Sequence, residues 1–332
     1  MAYAAIFSDQ EALRQKNYAT VEKYVSTKGQ DRANRWMLYT EDCDTGLGYT
    51  PDCGQMCNHG LENQKRMEAM NAADFPDWSF WNNAIFQTED PNYFIVEGEG
   101  GGVRKTPGRD DYYHGDHYFH TFRMVDGKIQ QYREYMNPLK EQRDMGRKLN
   151  LPEIPALSGL SQDKVDLIQA EDMDRDPTDT AIREKNLTTI RAYLSMKGPD
   201  RAARWKLYCD DCVTGLGYTA SGAPMKNFGI EAQKEMEAIN ARDFPDWEFT
   251  NNIIFQTADP NYFIVEGDGS GVCCFDPEKP YMHADHYIHA FAMEDGKIKM
   301  YHEYMNPCKE LKDMGWDLGL PPMGPPPGTE KP

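Results

Sequence analysis

The chain has 332 residues, of which 39% are hydrophobic and 27% are charged, a composition typical of globular domains rather than disordered chains. Its formal net charge of −18 argues against nucleic acid or an anionic membrane as a partner, because both would be repelled. No segment approaches the roughly 18 apolar residues of a membrane span, and no secretory signal is recognisable. We therefore expect a cytoplasmic protein that is long enough for two domains.

The sequence contains one long internal repeat. The passage FPDWSFWNNAIFQTEDPNYFIVEG at Phe75 returns at Phe244 with 20 of its 24 letters unchanged, 169 positions later. The same offset holds without a gap from Leu13 to Met145, so each copy has about 140 residues, far more than a solenoid unit. The repeat therefore indicates a duplicated domain. We predict a first domain at 8–153, an acidic linker at 154–177, a second domain at 178–322 and a proline-rich tail at 323–332.

Within the first copy, the predicted elements begin with helices. Ser8 and Glu11 have the spacing of a capping box ahead of a helical stripe that ends at Gly29. The segment QDRANRWMLY continues as a second helix, and GLENQKRMEAMNAADF predicts a third, which Pro76 terminates. A closing helix follows Pro138, near the end of the copy.

Between the third and the closing helix, the apolar pattern changes to a period of two, which is typical of strands. The segments WSFWNNAIFQT, NYFIVEGEG, HYFHTFRM and KIQQYREYM alternate in this way, and VDGK is the predicted hairpin turn. The cluster EGEGGGV does not lead into a helix, so we interpret it as strand-end bulges and a turn, not a dinucleotide-binding fingerprint. Helices followed by a mostly antiparallel sheet indicate the α+β class. We therefore predict that each copy of the repeat forms an α+β cone around a pocket.

The last predicted strand of each copy carries the strongest candidates for acid–base chemistry. Tyr132 and Glu134 share one face of QYREYMN with a methionine, as do Tyr301 and Glu303 in MYHEYMN. A carboxylate between an aromatic ring and a thioether is desolvated, which raises its pKa and suits a general acid or base. The alternative is that both glutamates face solvent or pair with arginine.

Two further groups on the predicted strands are candidates. Glu97 and Glu266, in YFIVEG, share parity with apolar neighbours, although carboxylates at sheet ends are more often solvated. His117 and His120 lie three residues apart and therefore on opposite faces of a strand, so they cannot chelate one metal ion. At most one histidine of each copy faces the pocket, where His117 or its counterpart His286 would assist proton transfer. A hydrogen-bonded core histidine is the alternative.

Arginine and tryptophan recur together in the second predicted helix. Arg35 and Trp36 correspond to Arg204 and Trp205 in the second copy. An arginine at a helix end that borders a pocket can hold a substrate carboxylate through two parallel hydrogen bonds. The alternative is a core tryptophan beside a surface arginine.

The cysteines do not indicate a metal site. Of the eight, only Cys43 and Cys212 are at equivalent positions, and the Cys209-x-x-Cys212 pair has no second pair at matching spacing. We predict free thiols and no metal. No phosphate loop or nucleophile elbow is present either, so we expect chemistry without a cofactor.

The motifs KNYATVEKYVSTKGQDR, FPDW, DPNYFIVE, DHYFH, DGKI and REYMN occur in this order, and KNLTTIRAYLSMKGPDR through HEYMN follow in the second copy. In combination they resemble the phenazine-biosynthesis PhzA/B family of the SnoaL-like, ketosteroid-isomerase-like (NTF2-like) superfamily. The resemblance covers nearly all of both copies. It implies an α+β cone and a small cofactor-independent enzyme that joins two cyclic aminoketone acids through imine formation.

The resemblance also implies roles for individual residues. The family's glutamate of the last strand falls on Glu134 and Glu303, and its substrate-holding arginine falls on Arg35 and Arg204. On the helix before FPDW the family has a histidine and a serine, which this chain lacks. Their loss favours a descendant reaction on a different substrate. The residues that replace them are Met67 and Asn71 in the first copy and Met236 and Asn240 in the second. We include these four in the predicted substrate-binding set, with Tyr132, Tyr301, Arg35, Arg204, Trp36 and Trp205.

The resemblance further implies a reason for the duplication. The resemblance implies homodimers whose subunits bury their sheet faces against each other. A tandem copy would therefore form an intramolecular pseudo-dimer, and this pseudo-dimer could pair further as a homo-oligomer. We predict an enzyme of secondary metabolism that condenses, cyclises or isomerises a small carbonyl, aromatic or cyclic compound. The alternatives are a SnoaL-like dehydratase or double-bond isomerase, and a non-catalytic binder or scaffold for a reactive intermediate.

Overall fold

The computed structural model describes residues 10–88, 90–105, 110–150, 179–221, 224–257 and 259–320, with the backbone alone at 160–161. Ser8 of the predicted capping box, most of the predicted linker and the whole predicted tail lie outside the described residues. The bounds predicted for the two domains therefore stay predictions.

Each half of the chain forms the same series of elements. The first half comprises α1 (Glu11–Ser26), a 3₁₀ helix (Gly29–Leu38), β1 (Tyr39–Leu47), β2 (Met56–His59), α2 (Leu61–Asp74), β3 (Ser79–Gln87), β4 (Tyr93–Arg104), β5 (Tyr112–Val125), β6 (Lys128–Tyr135) and α3 (Pro138–Asp144). A short strand, β7 (Leu160–Ser161), follows. The second half comprises α4 (Thr180–Ser195), a 3₁₀ helix (Gly198–Leu207), β8 (Tyr208–Leu216), β9 (Met225–Phe228), α5 (Ile230–Asp243), β10 (Glu248–Gln256), β11 (Tyr262–Cys273), β12 (Tyr281–Glu294), β13 (Lys297–Tyr304) and α6 (Pro307–Asp313).

Each half builds one mixed sheet. The strand order is β2-β1-β6-β5-β4-β3 in the first half and β10-β11-β12-β13-β8-β9-β7 in the second. Neighbouring strands are antiparallel except for β1 with β6 and β8 with β13, which are parallel. The predicted fold class, two tandem α+β domains, is confirmed.

Helix α1 covers the inner face of the first sheet. Val21, Tyr24 and Val25 lie on one side of this helix, because residues three and four apart share a helical face, and all three are buried. The ring of Tyr24 meets the edge of Phe122 on β5 at a centroid distance of 5.3 Å. This packing leaves room for a cavity among the 3₁₀ helix, α2 and the strands β1 and β6.

The outer faces of the two sheets pack against each other and form one shared apolar cluster. Phe86 stacks on Tyr262 at a centroid distance of 4.4 Å, and Tyr93 stacks on Phe255 at 4.5 Å. Because Phe255 and Tyr262 are the repeat counterparts of Phe86 and Tyr93, each domain makes the same contact with the other. Hydrogen bonds across the contact are reciprocal too, since Asn137 donates to the Thr219 carbonyl (2.7 Å) and Asn306 to that of Thr50 (2.9 Å). This reciprocity is the mark of an isologous interface, here inside one chain.

The structure corrects several details. The segment predicted as a second helix is a 3₁₀ helix, and α1 ends at Ser26 instead of reaching Gly29. The glycine cluster is not a turn, because β4 runs without interruption from Tyr93 to Arg104. Strands β1 and β2 were not predicted at all. Among the described residues, no helix combines the length and the apolar character needed to traverse a bilayer.

Candidate active site

Each half contains a cavity that is open to solvent between its helices and the inner face of its sheet. Including the mouth, the empty volume is about 920 Å³ in the first half and about 1080 Å³ in the second. Most positions that line the first cavity have their repeat counterpart in the second. Glu134 and Tyr132 line the first cavity, and Glu303 and Tyr301 line the second, so the structure brings these predicted residues together.

Glu134 is the end of a hydrogen-bonded relay. The Tyr132 hydroxyl donates to Glu134 Oε2 at 2.7 Å, and His120 Nδ1 lies 2.9 Å from that same hydroxyl. Since the tyrosine proton is committed to the carboxylate, His120 must donate from Nδ1, which makes Nε2 the acceptor nitrogen of a neutral ring. Burial first, and then the Arg35 charge, lowers the pKa of His120 to about 3, which agrees with a neutral ring.

The carboxyl group of Glu134 is desolvated. Burial raises its pKa above the usual range, although the hydrogen bond from Tyr132 and the charges of Arg32 and Arg35 act in the opposite direction. The Glu134 side chain is 20% exposed, so its carboxyl group is accessible from the cavity. The second half repeats the relay, because Tyr301 donates to Glu303 at 2.6 Å and His289 Nδ1 lies 2.8 Å from Tyr301.

Arg32 and Arg201 place a buried cation in each cavity. They are 7% and 5% exposed, and both line the cavities. Their Nε and Nη1 atoms are buried without a hydrogen-bond partner within the described residues. A buried guanidinium that lacks an acceptor is costly. Each arginine therefore has donors available for an anionic group of a ligand, such as a carboxylate.

Arg35, the arginine predicted to hold the substrate, is placed differently. It lines the first cavity, but its guanidinium lies 4.2 Å above the ring centre of Tyr24 and donates to the Thr27 carbonyl at 2.8 Å. Its counterpart Arg204 makes the same kind of contacts and is not among the residues that line the second cavity.

The two tryptophans of the predicted set do not line the cavities. Trp36 and Trp205 are partly exposed, and the ammonium groups of Lys65 and Lys234 lie 4.6 and 4.7 Å from their ring centres. The 3₁₀ turn directs the neighbouring arginines inward and these rings outward. The structure thus separates the tryptophans from the glutamates with which they were predicted to act.

Helix α2 and its counterpart α5 supply another part of each wall. Met67, Asn71, Met236 and Asn240 all line the cavities, and their role in substrate binding stays a prediction. Beside Met67, the buried Glu68 accepts a hydrogen bond from Gln64 at 3.0 Å, and burial raises the pKa of this carboxyl.

His117 and His286 were predicted to assist catalysis, but they lie away from both cavities. His117 Nε2 is 3.1 Å from Glu97 Oε1 and 3.1 Å from the hydroxyl of Tyr304, at the contact between the domains. His286 is 33% exposed and lies 3.1 Å from Asp268. The histidine that shares the inner face with the glutamate is His120, together with His289 in the second half.

Nearly the whole chain matches one protein family. Residues 1–156, and again residues 171–321, match the profile of the family described as Phenazine biosynthesis protein A/B. The chain belongs to this family. PhzB1 from Pseudomonas aeruginosa is 42% identical over 137 residues, which are 41% of this chain and 85% of that protein. PhzB from Pseudomonas fluorescens is 39% identical over 139 residues, which are 42% and 86% of the two chains.

Two solved structures each match less than half of this PhzA/B chain. The phenazine biosynthesis-related protein phzb2 from Pseudomonas aeruginosa is 37% identical with a TM-score of 0.43, and the match covers 46% of this chain and 97% of that one. An NTF2-like protein from Anabaena variabilis is 15% identical with a TM-score of 0.30, and covers 41% and 96%.

Several cavity residues were not recognised from the sequence. Arg32 and Glu68 recur unchanged as Arg201 and Glu237, and Gln64 recurs as Gln233. This identity between two copies that have diverged elsewhere was the available signal. Within the described residues, no group of three or more His, Cys, Asp or Glu side chains is arranged to hold a metal ion.

Proposed function

We propose that this PhzA/B protein is a cofactor-independent acid–base enzyme of secondary-metabolite biosynthesis. In each cavity it would condense, cyclise or isomerise a small carbonyl substrate. The family supports a biosynthetic role. The observation that carries the proposal is the relay from His120 through Tyr132, which ends on the desolvated carboxyl of Glu134 in the cavity wall and recurs in the second half.

Glu134 is suited to take a proton and return it. A raised pKa brings the carboxyl closer to the operating pH, which is the condition for efficient general acid–base catalysis. The ionised group accepts a proton from a carbon or an amine of the substrate, while the Tyr132 hydroxyl stabilises the ionised form. The proton then passes to another atom of the substrate, so the enzyme ends in its starting state.

The walls indicate the class of substrate. Phe75, Trp78 and Met136 supply apolar surface in the first cavity, and Arg32 supplies unpaired N–H donors. A small ring with a carbonyl and a carboxylate satisfies both, because the ring packs on the aromatic walls and the carboxylate accepts from the guanidinium. A cyclic aminoketone acid is the member of this class that the resemblance to the PhzA/B family favours.

A non-catalytic binder is the second candidate function. Met67 and Asn71 stand in the cavity wall where the family resemblance implies a histidine and a serine, and this replacement favours binding without turnover. A dehydratase or double-bond isomerase would use the same glutamate on a single substrate that contains no amine.

We expect the protein to accelerate product formation from a cyclic aminoketone acid generated in place, as followed by mass spectrometry. Replacing both glutamates (Glu134→Gln with Glu303→Gln) should lower the rate about 10²- to 10⁴-fold, the usual contribution of one general acid or base. Each single variant should keep the part of the rate that its unmutated cavity contributes. The matched control is Glu41→Gln, at an exposed position on β1, which should react at the wild-type rate.

The outcomes separate the candidate functions. A double variant that keeps the full rate would exclude both glutamates from catalysis. Substrate binding without any turnover, unchanged in the double variant, would instead favour the binder. If the aminoketone does not react but a single carbonyl substrate is isomerised or dehydrated, condensation is wrong and the isomerase or dehydratase alternative holds.

A further inference from the structure

The two cavities differ in the surroundings of one glutamate. We infer that Glu310 is a second proton-transferring residue, which acts with Glu303 in the second cavity only; this inference rests on the proposed acid–base function. Glu310 lies on α6 and lines the second cavity together with Glu303. Its repeat counterpart, Glu141 on α3, lines the first cavity.

The difference comes from the neighbour of each glutamate. In the first half, Arg104 Nη1 lies 3.9 Å from Glu141 Oε1, so the carboxylate is an ion-pair partner. The position equivalent to Arg104 is Cys273, which is fully buried and carries no charge to offer. Within the described residues, the Glu310 side chain forms no ion pair or hydrogen bond.

The groups around Glu310 favour its protonated form. Burial first, and then the negative charges of Glu303, Asp285 and Asp313, raises the pKa of Glu310 to about 7. The nearby cation Lys309 and the ring of His283 are both bound to Asp313, at 2.5 and 2.8 Å. Further ionisable groups of this region are Cys273 on β11, Tyr281 and Tyr287 on β12, Asp243 at the end of α5, and Arg201, Glu237, Tyr193 and Tyr301 in the cavity wall.

Two carboxyls in one cavity allow a concerted proton exchange. Protonated Glu310 donates its proton to the carbonyl oxygen of the substrate, while ionised Glu303 takes a proton from the adjacent carbon. The C–H electron pair becomes the C=C bond of the enol, and the carbonyl π pair binds the new proton on oxygen. Glu303 ends protonated and Glu310 ends ionised, so charge and protons balance. The first cavity, where Arg104 binds Glu141, lacks this second donor.

Carbon-13 NMR of the full-length protein, labelled at the glutamate carboxyls, tests the ionisation without any substrate. The resonance that disappears in Glu310→Gln should titrate with a midpoint near pH 7 in the wild type. A midpoint below about pH 5, as in an unperturbed glutamate, would overturn the inference. The spectrum and melting temperature of the variant also establish that it remains folded.

Rates with the cyclic aminoketone acid test the role. In the Glu134→Gln background, which leaves the second cavity active, Glu310→Gln should lower turnover at pH 6 about 10²-fold or more. It should also abolish the fall in rate above pH 7 that loss of the Glu310 proton causes. The matched variant Glu141→Gln, in the Glu303→Gln background, should not show this change in the pH profile.

Together, these experiments distinguish a failure of the role of Glu310 from a failure of the proposed function. Turnover in the Glu134→Gln background that Glu310→Gln leaves unchanged would refute the role of Glu310 alone. An equal effect of Glu141→Gln in the first cavity would refute the claimed difference between the cavities. A wild-type protein without turnover would refute the proposed function and this role with it.

Discussion

Replacing Glu97 by leucine is expected to lower the free energy of unfolding by about 3–5 kcal/mol, the range for removing one partner of a buried ion pair. Glu97 is 1% exposed on β4, at the contact between the domains. Tyr262 and Tyr304 donate to its carboxylate at 3.0 and 2.5 Å, and His117 Nε2 lies at 3.1 Å. The substitution removes the shared acceptor of the two buried tyrosine hydroxyls, at about 1–3 kcal/mol each.

The chain supplies its own matched control in Glu266, the counterpart of Glu97. Glu266 accepts a hydrogen bond from Tyr93 at 3.1 Å, and burial raises its pKa despite the charges of His286 and Arg123. We expect Glu266→Leu to cost clearly less than Glu97→Leu when both are unfolded in urea and followed by tryptophan fluorescence. Equal costs would contradict the claim that the three contacts of Glu97 account for its effect.

The two glutamates also produce opposite pH dependences. Burial alone would raise the pKa of Glu97, but the hydrogen bond and charge of His117 outweigh it and lower the pKa to about 2. The resulting stability is present above the unfolded value of 4.5 and is lost as the pH falls towards 2, by about 3 kcal/mol. Because the pKa of Glu266 is raised, its contribution instead declines as the pH rises above 4.5. Glu97→Gln should therefore flatten the acid limb of the stability profile, and Glu266→Gln should not.

Local patterns predicted the parts of the fold that depend on local geometry. A period of two fixes which residues share a strand face, so Tyr132 and Glu134 were correctly placed together. Strand β1 shows no such period, because Cys43 is the one apolar residue in TEDCDT, and its parallel partner β6 lies far along the chain. The glycines of β4 serve packing, since a Cβ at Gly100 would come within 2.6 Å of the Phe80 ring and 3.0 Å of Trp78.

The candidate site shows where local patterns stop being informative. Alternation places His117 and His120 on opposite faces but does not say which face meets the cavity. That choice depends on the second domain, which covers the outer face and brings Tyr304 onto His117. Likewise, both arginines of the 3₁₀ helix are buried. The surroundings of Arg35, with the Tyr24 ring and the Thr27 carbonyl, engage its guanidinium, whereas Arg32 has both Nε and Nη1 without an acceptor among the described residues.

The second prediction with a large expected effect therefore concerns Arg32 and its counterpart Arg201. Replacing both unpaired arginines (Arg32→Met with Arg201→Met) should weaken binding of 3-oxocyclohexane-1-carboxylate about 10- to 100-fold, as measured by calorimetry. Charge-assisted hydrogen bonds contribute about 1.5–3 kcal/mol, which corresponds to this range. Methionine keeps an apolar chain of similar length beside Trp78, over which the Arg32 guanidinium lies at 5.4 Å.

The methyl ester of the same acid separates the charge from the shape of the ligand. The ester presents the ring and the carbonyl without an anion, so it should bind the wild type and the double variant with similar affinity. The acid should exceed the ester in the wild type and lose that advantage in the variant. An acid and an ester that bind the wild type equally well would mean that no carboxylate meets Arg32 or Arg201. The two cations would then be held in the cavity walls by the protein alone, at the cost in stability that a buried, unpaired charge carries.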